Sequence, residues 1–147
     1  MDRYTINAAT VGHVPTGTTI KTLVTDAVLD YADTGEHLFT MSKNDVIEYF
    51  ANYHLQIKIE YPNDPGSSKG LTIRAFSSAE EITTPLDEIK DTWDSKAITL
   101  TNGAATDDTE YYYLEDLTIR GNYLYLSYQY DAEPDEDPKV EIKLCRV

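Results

Sequence analysis

Three stretches of the chain alternate apolar and polar side chains with a period of two. Leu55, Ile57, Ile59 and Tyr61 alternate with His54, Gln56, Lys58 and Glu60; Leu71, Ile73 and Ala75 repeat the pattern, and so do Val140, Ile142 and Leu144. That period predicts strands with one buried face. The first two stretches, joined by residues 62–70, predict a hairpin with a long loop. A further hairpin is predicted where Gly121-Asn122 separates two strand patterns, because such a dipeptide suits a two-residue turn. With that turn, Ile119 would face Leu124, Leu117 would face Leu126 and Tyr113 would face Tyr130. A short first strand is expected over residues 4–11, before the turn-forming Pro15-Thr16-Gly17.

Three other segments follow a helical period. Ile20, Leu23, Val24, Ala27, Val28 and Tyr31 recur at steps of three and four, which predicts a helix burying one face and stopping near Gly35. Ser42 followed by Asp45, with Met41 placed to staple onto Val46, predicts a second helix carrying Val46, Ile47, Phe50 and Tyr53. Thr84-Pro85-Leu86-Asp87 has the form of an N-cap with proline at the first helical position, so a short third helix should bury Leu86, Ile89 and Trp93. Together these elements predict an α+β fold, a mostly antiparallel sheet of about five or six strands with two or three helices packed on one face.

Composition narrows the class of protein. A length of 147 residues with 41% hydrophobic side chains suits a single globular domain, 1–147, with a core of its own. The 26 acidic against 12 basic residues give a formal charge of −14. That balance repels a bare phosphate backbone, so direct nucleic-acid binding is not expected, whereas a protein partner with a basic surface is. A homo-oligomer is a further open expectation. Cys145 is the one cysteine, which excludes an intramolecular disulfide and a multi-thiolate zinc cage. No apolar run is long enough for a membrane-spanning helix and Met1-Asp2-Arg3-Tyr4 does not begin a signal peptide, so a cytoplasmic location, or assembly there into a particle, is expected. A secreted form whose leader had been removed would carry the same sequence.

Candidate chemistry is sparse. His13, His37 and His54 stand far apart without a ligand pattern, and no G-x-S-x-G occurs; no catalytic, metal or cofactor site is expected, and the chain is read as a non-enzyme. Gly66-Ser67-Ser68-Lys69-Gly70 has the composition of a phosphate loop without its spacing, which leaves an ordinary hairpin loop. Asp131, Glu133, Asp135 and Asp137 alternate like a calcium loop, but Glu136 stands where the turn glycine belongs and Pro134 and Pro138 interrupt. A solvated acidic loop accounts for them, with weak divalent-cation binding the alternative. Asp26, Asp30 and Asp33, and again Asp87, Asp91 and Asp94, would form acidic stripes on the predicted helices. Each is either a solvated helix face or part of a nucleic-acid mimic. A single stripe, with one carboxylate per about 6 Å, is too dilute beside the one charge per about 1.7 Å of duplex DNA. Mimicry would require several acidic elements to merge.

Seven of the twelve tyrosines fall between Tyr111 and Tyr130. On the expected hairpin, Tyr123 and Tyr125 point away from Leu124 and Leu126, so they are either covered by another element or exposed as a contact surface. Residues 114–130, with Gly121-Asn122 between aliphatic runs, resemble the C-terminal hairpin of the NigD-like lipoproteins. The likeness spans under a fifth of the chain and implies only that hairpin; no function is transferred from it. The leading functional expectation is a non-enzymatic interaction or assembly component, such as a small structural or accessory protein of a phage or other mobile element. A second class is an acidic inhibitor that mimics nucleic acid in a basic groove, and a third is a carbohydrate-binding module. The candidate partner-binding residues are Tyr123, Tyr125, Asp87, Asp91, Asp94, Asp131, Glu133 and Asp135. A merged acidic face would favour the inhibitor, an exposed aromatic platform the carbohydrate module, and a self-complementary apolar edge the assembly component.

Overall fold

A computed structural model describes residues 19–31, 37–43, 52–66, 68–84, 93–103, 108–119, 121 and 123–146, with the side chains of 19, 20, 37–43, 52 and 146 left aside. Eight strands run through them: β1 Thr19–Val28, β2 His37–Lys43, β3 Asn52–Glu60, β4 Lys69–Ser78, β5 Asp94–Leu100, β6 Thr109–Thr118, β7 Tyr123–Tyr130 and β8 Lys139–Arg146. Pairing is nested and antiparallel throughout, β1 with β8, β2 with β7, β3 with β6 and β4 with β5. β3 also pairs with β8, and β4 with β7. Two four-stranded sheets result, β1-β8-β3-β6 and β2-β7-β4-β5. A ribbon doubled on itself in this way and shared between two sheets is a jelly roll.

The period-two stretches behave as their pattern requires. Leu55, Ile57 and Ile59 of β3 face Val140, Ile142 and Leu144 of β8 across the ladder and, from the other sheet, Leu71, Ile73, Leu124 and Leu126 close the same core. All are at most 1% exposed. Burying one such aliphatic side chain contributes about 1.5–3 kcal/mol before the entropy of ordering it.

The α+β expectation is overturned: no helix occurs among the described residues, and the first predicted helix is strand β1. Its misleading spacing has a physical cause. β1 carries three register shifts against β8, so Lys21, Val24 and Ala27 stand opposite Leu144, Ile142 and Val140. Every step of two on β8 is matched by a step of three on β1, and bulges therefore imitate a helical period. At the last of them Asp26 takes a positive φ of 42°. In the second predicted helix, Ser42 belongs to β2 and Tyr53 to β3; its middle, like residues 85–92 of the third and the predicted strand at 4–11, lies outside the described residues.

Both predicted hairpins are also corrected. β3 and β4 lie in different sheets, as do β6 and β7, so neither pair is a hairpin. The segment that resembled a lipoprotein hairpin is accordingly not one. Gly121 is required for a different reason from turn geometry: a Cβ there would lie 2.2 Å from the Ser78 carbonyl oxygen and 2.3 Å from the Ala79 Cα. Only a residue without a side chain lets the crossing backbone approach that closely.

Candidate functional site

β6 contains three consecutive tyrosines, and strand alternation sends them to opposite faces. Tyr112 turns inward, where its hydroxyl meets that of buried Tyr61. Burial pushes the Tyr61 hydroxyl well above its ordinary value, and hydrogen bonding to Tyr112 and Glu110 acts in the same direction. Tyr111 and Tyr113 turn outward and remain 54% and 43% exposed. β6 is the edge of its sheet, so each outward ring has a strand neighbour on one side only. Tyr113 is nonetheless held in place, because Gln56 Nε2 donates to its hydroxyl at 3.2 Å and the His54 ring meets it edge-on at 5.4 Å.

β5, the edge of the other sheet, runs past β6 at the same side of the sandwich. Between them opens a cleft of about 470 Å³ lined by Asp94, Ser95, Lys96, the three tyrosines, Leu114 and Glu115. Lys96 Nζ lies over the Tyr112 ring, 5.9 Å from its centre, a cation–π contact. Asp94 is exposed at the start of β5, yet partial desolvation raises its carboxyl above the ordinary value. The cleft therefore offers aromatic faces, two carboxylates and one ammonium, groups that stack, hydrogen-bond and hold charge. Its lining residues include no thiol and no imidazole.

The other candidate residues are placed as follows. Tyr125 is buried on the outer face of its sheet, stacked between Phe76 at 6.3 Å and Tyr123 at 6.5 Å, with Phe76 in turn 5.4 Å from Trp93. Residues following β4 cover it: the Ile82 amide donates to the Tyr125 hydroxyl at 2.5 Å. Of the two readings of these tyrosines, coverage by another element is the one observed for Tyr125, while Tyr123 is half-buried. Asp131 accepts the Gly70 amide at 2.8 Å through its carboxylate, and the Asp135 amide donates to the Pro65 carbonyl at 3.1 Å. The acidic loop after β7 is thereby latched to Pro65, after β3, and to Gly70 at the start of β4, with Glu133 exposed. Asp87 and Asp91 lie outside the described residues, so the stripe with Asp94 is not one the structure describes.

A second carboxylate neighbourhood lies where β1 ends. The Tyr128 and Tyr130 hydroxyls donate to the carbonyls of Asp30 and Leu29 at 2.8 and 2.5 Å. Asp137 stands beside Asp30, and burial followed by that neighbouring charge raises its carboxyl above the ordinary value. Among the described residues no group of three or more His, Cys, Asp or Glu side chains could hold a metal ion, and no helix is long and apolar enough to cross a membrane.

Sequence reasoning singled out Asp94 but not Tyr111, Tyr113, Lys96 or Glu115. The tyrosine run was visible; what made Tyr111 and Tyr113 prominent was the edge position of β6, which depends on strand order. Comparison with protein-family models, with curated proteins and with solved structures finds no match to this chain, so the cleft has to be interpreted on its own geometry.

Proposed function

We propose that this chain is a non-enzymatic interaction module that holds a protein partner at the cleft between β5 and β6. The observation that carries the reading is the pair Tyr111 and Tyr113, large, exposed and on a sheet edge, with Tyr113 already fixed by Gln56 and His54. Tyrosines of this kind lose little conformational entropy on contact and are enriched among the residues that dominate interface energy. The jelly roll itself is used by capsid and lectin domains alike, so the architecture alone selects neither role.

The test is site-specific photocrosslinking in the cells that make the protein. A photoreactive phenylalanine analogue replaces Tyr111 in one version and Glu133, in the loop after β7, in another. A discrete protein adduct at position 111 is the expected result. No adduct there, whether or not position 133 gives one, overturns the proposal.

A further inference from the structure

We infer that the cleft takes an extended, arginine- or lysine-bearing segment of its partner, which adds as a strand to the free edge of β5. The inference rests on the interaction-module reading and specifies the partner's chemistry.

Two independent observations converge on it. The first concerns the four edge strands. β1 is interrupted by three register shifts, β2 by one between Leu38 and Thr40, and β6 by one between the partners of Tyr53 and Leu55, where Asp116 takes a positive φ of 61°. Bulges at an edge obstruct pairing with another chain. β5 has none: its register with β4 runs unbroken from Asp94 opposite Ala75 to Leu100 opposite Lys69. Among the described residues no strand pairs with its other side. Every second amide and carbonyl of β5 thus faces away from β4 as a template for an added strand.

The second observation is charge. Asp94 and Glu115 line the same cleft, and among the described residues no cation lies within ion-pair distance of either. Tyr111 and Tyr113 present faces on which a guanidinium can stack. Lys96, the one cation in the lining, is turned over Tyr112, so the incoming cations are placed at the Asp94 and Glu115 end. The chain's charge of −14 steers a cationic segment toward the molecule. The same charge opposes a second copy, since two such chains repel. An anionic strand would meet the carboxylates of Asp94 and Glu115 unpaired.

The experiment uses blocked peptides of about ten residues, enough for a typical strand. One alternates threonine with arginine, one threonine with glutamate, and a third is the arginine peptide with alternate backbone amides methylated. Binding is read by fluorescence anisotropy, and the site by amide hydrogen exchange of the full chain. The arginine peptide is expected to bind, to protect alternate β5 amides, and to weaken at least about tenfold between low and physiological salt. Asp94→Asn combined with Glu115→Gln should weaken it by a similar factor, with the circular dichroism of the variant unchanged; methylation should abolish the protection. Equal binding of the glutamate peptide, binding that leaves β5 amides unprotected, or no binding each overturns the inference. So does a concentration-dependent dimer of the free chain that protects β5, or protection produced by maltohexaose in place of the peptide. A partner crosslinked at position 111 together with unprotected β5 amides would remove the strand-addition inference and leave the interaction module standing; no adduct at 111 removes the module itself.

Discussion

Replacing Gly121 with alanine separates two explanations of the Gly-Asn segment. In a two-residue hairpin the glycine would be needed for a positive φ, but its backbone is outside that region, and what excludes a side chain is space. The added Cβ would stand 2.2 Å from the Ser78 oxygen and 2.4 Å from the Ala79 nitrogen. Contacts below 3.0 Å require something to move, and both atoms are backbone, anchored at the end of β4. Overpacking where a side chain can rearrange costs about 1–3 kcal/mol; with backbone on both sides the upper end, about 3 kcal/mol, applies. Against a total stability of about 5–15 kcal/mol, that lowers the melting temperature by about 6–12 °C for a domain of this size. Urea unfolding followed by tyrosine and tryptophan fluorescence measures the change directly. A Gly121→Ala protein within about 0.5 kcal/mol of the parent would refute the close-approach account, because that is the ordinary scatter of surface substitutions.

Tyr125→Phe keeps the stacked ring but removes the acceptor of the Ile82 amide, so about 1 kcal/mol should be lost, with hydrogen exchange accelerated at Ile82 and unchanged at Leu71. Asp137 has a raised carboxyl, which means the native state binds its proton more tightly than the unfolded chain; stability is lost as pH rises from the ordinary carboxylate value through the raised one. Asp137→Asn should accordingly raise the urea midpoint at pH ~7 and leave it nearly unchanged at pH ~2, well below the ordinary carboxylate value. A variant no more stable at neutral pH would contradict the placement of Asp137 beside Asp30.

The alternating patterns at Leu55–Ile59 and Val140–Leu144 were legible because β3 and β8 are interior strands whose ladder with each other runs without a shift. Sequence alternation then maps directly onto burial. β1 was illegible for the converse reason: its bulges lengthen the inward repeat to three residues, and a one-dimensional period cannot distinguish a bulged strand from a helix. The Gly121-Asn122 error arose from treating neighbours in sequence as neighbours in a sheet. The expected partners Ile119 and Leu124, and Leu117 and Leu126, do share one core, but Leu117 and Leu126 reach it from opposite sheets and Ile119 from beyond the end of β6. The same cause exchanged the tyrosines: Tyr125 lies on an inner strand beneath residues near Ile82, while Tyr111 and Tyr113 lie on an edge. Exposure there is decided by strand order, which no local window contains.

Nested pairing also sets the order in which the molecule can come together. β8 lies between β1 and β3, so those two strands have no partner in common until residues 139–146 have been synthesised. A ribosome adding about 5–20 residues per second leaves β1 and β3 waiting for several seconds, with Leu55, Ile57 and Ile59 lacking their final cover. Contacts this distant in sequence also slow the closing step itself, because the loop entropy is spent before the contacts are made. Growth temperature and translation rate should therefore affect soluble yield, because both change how long those strands wait for β8.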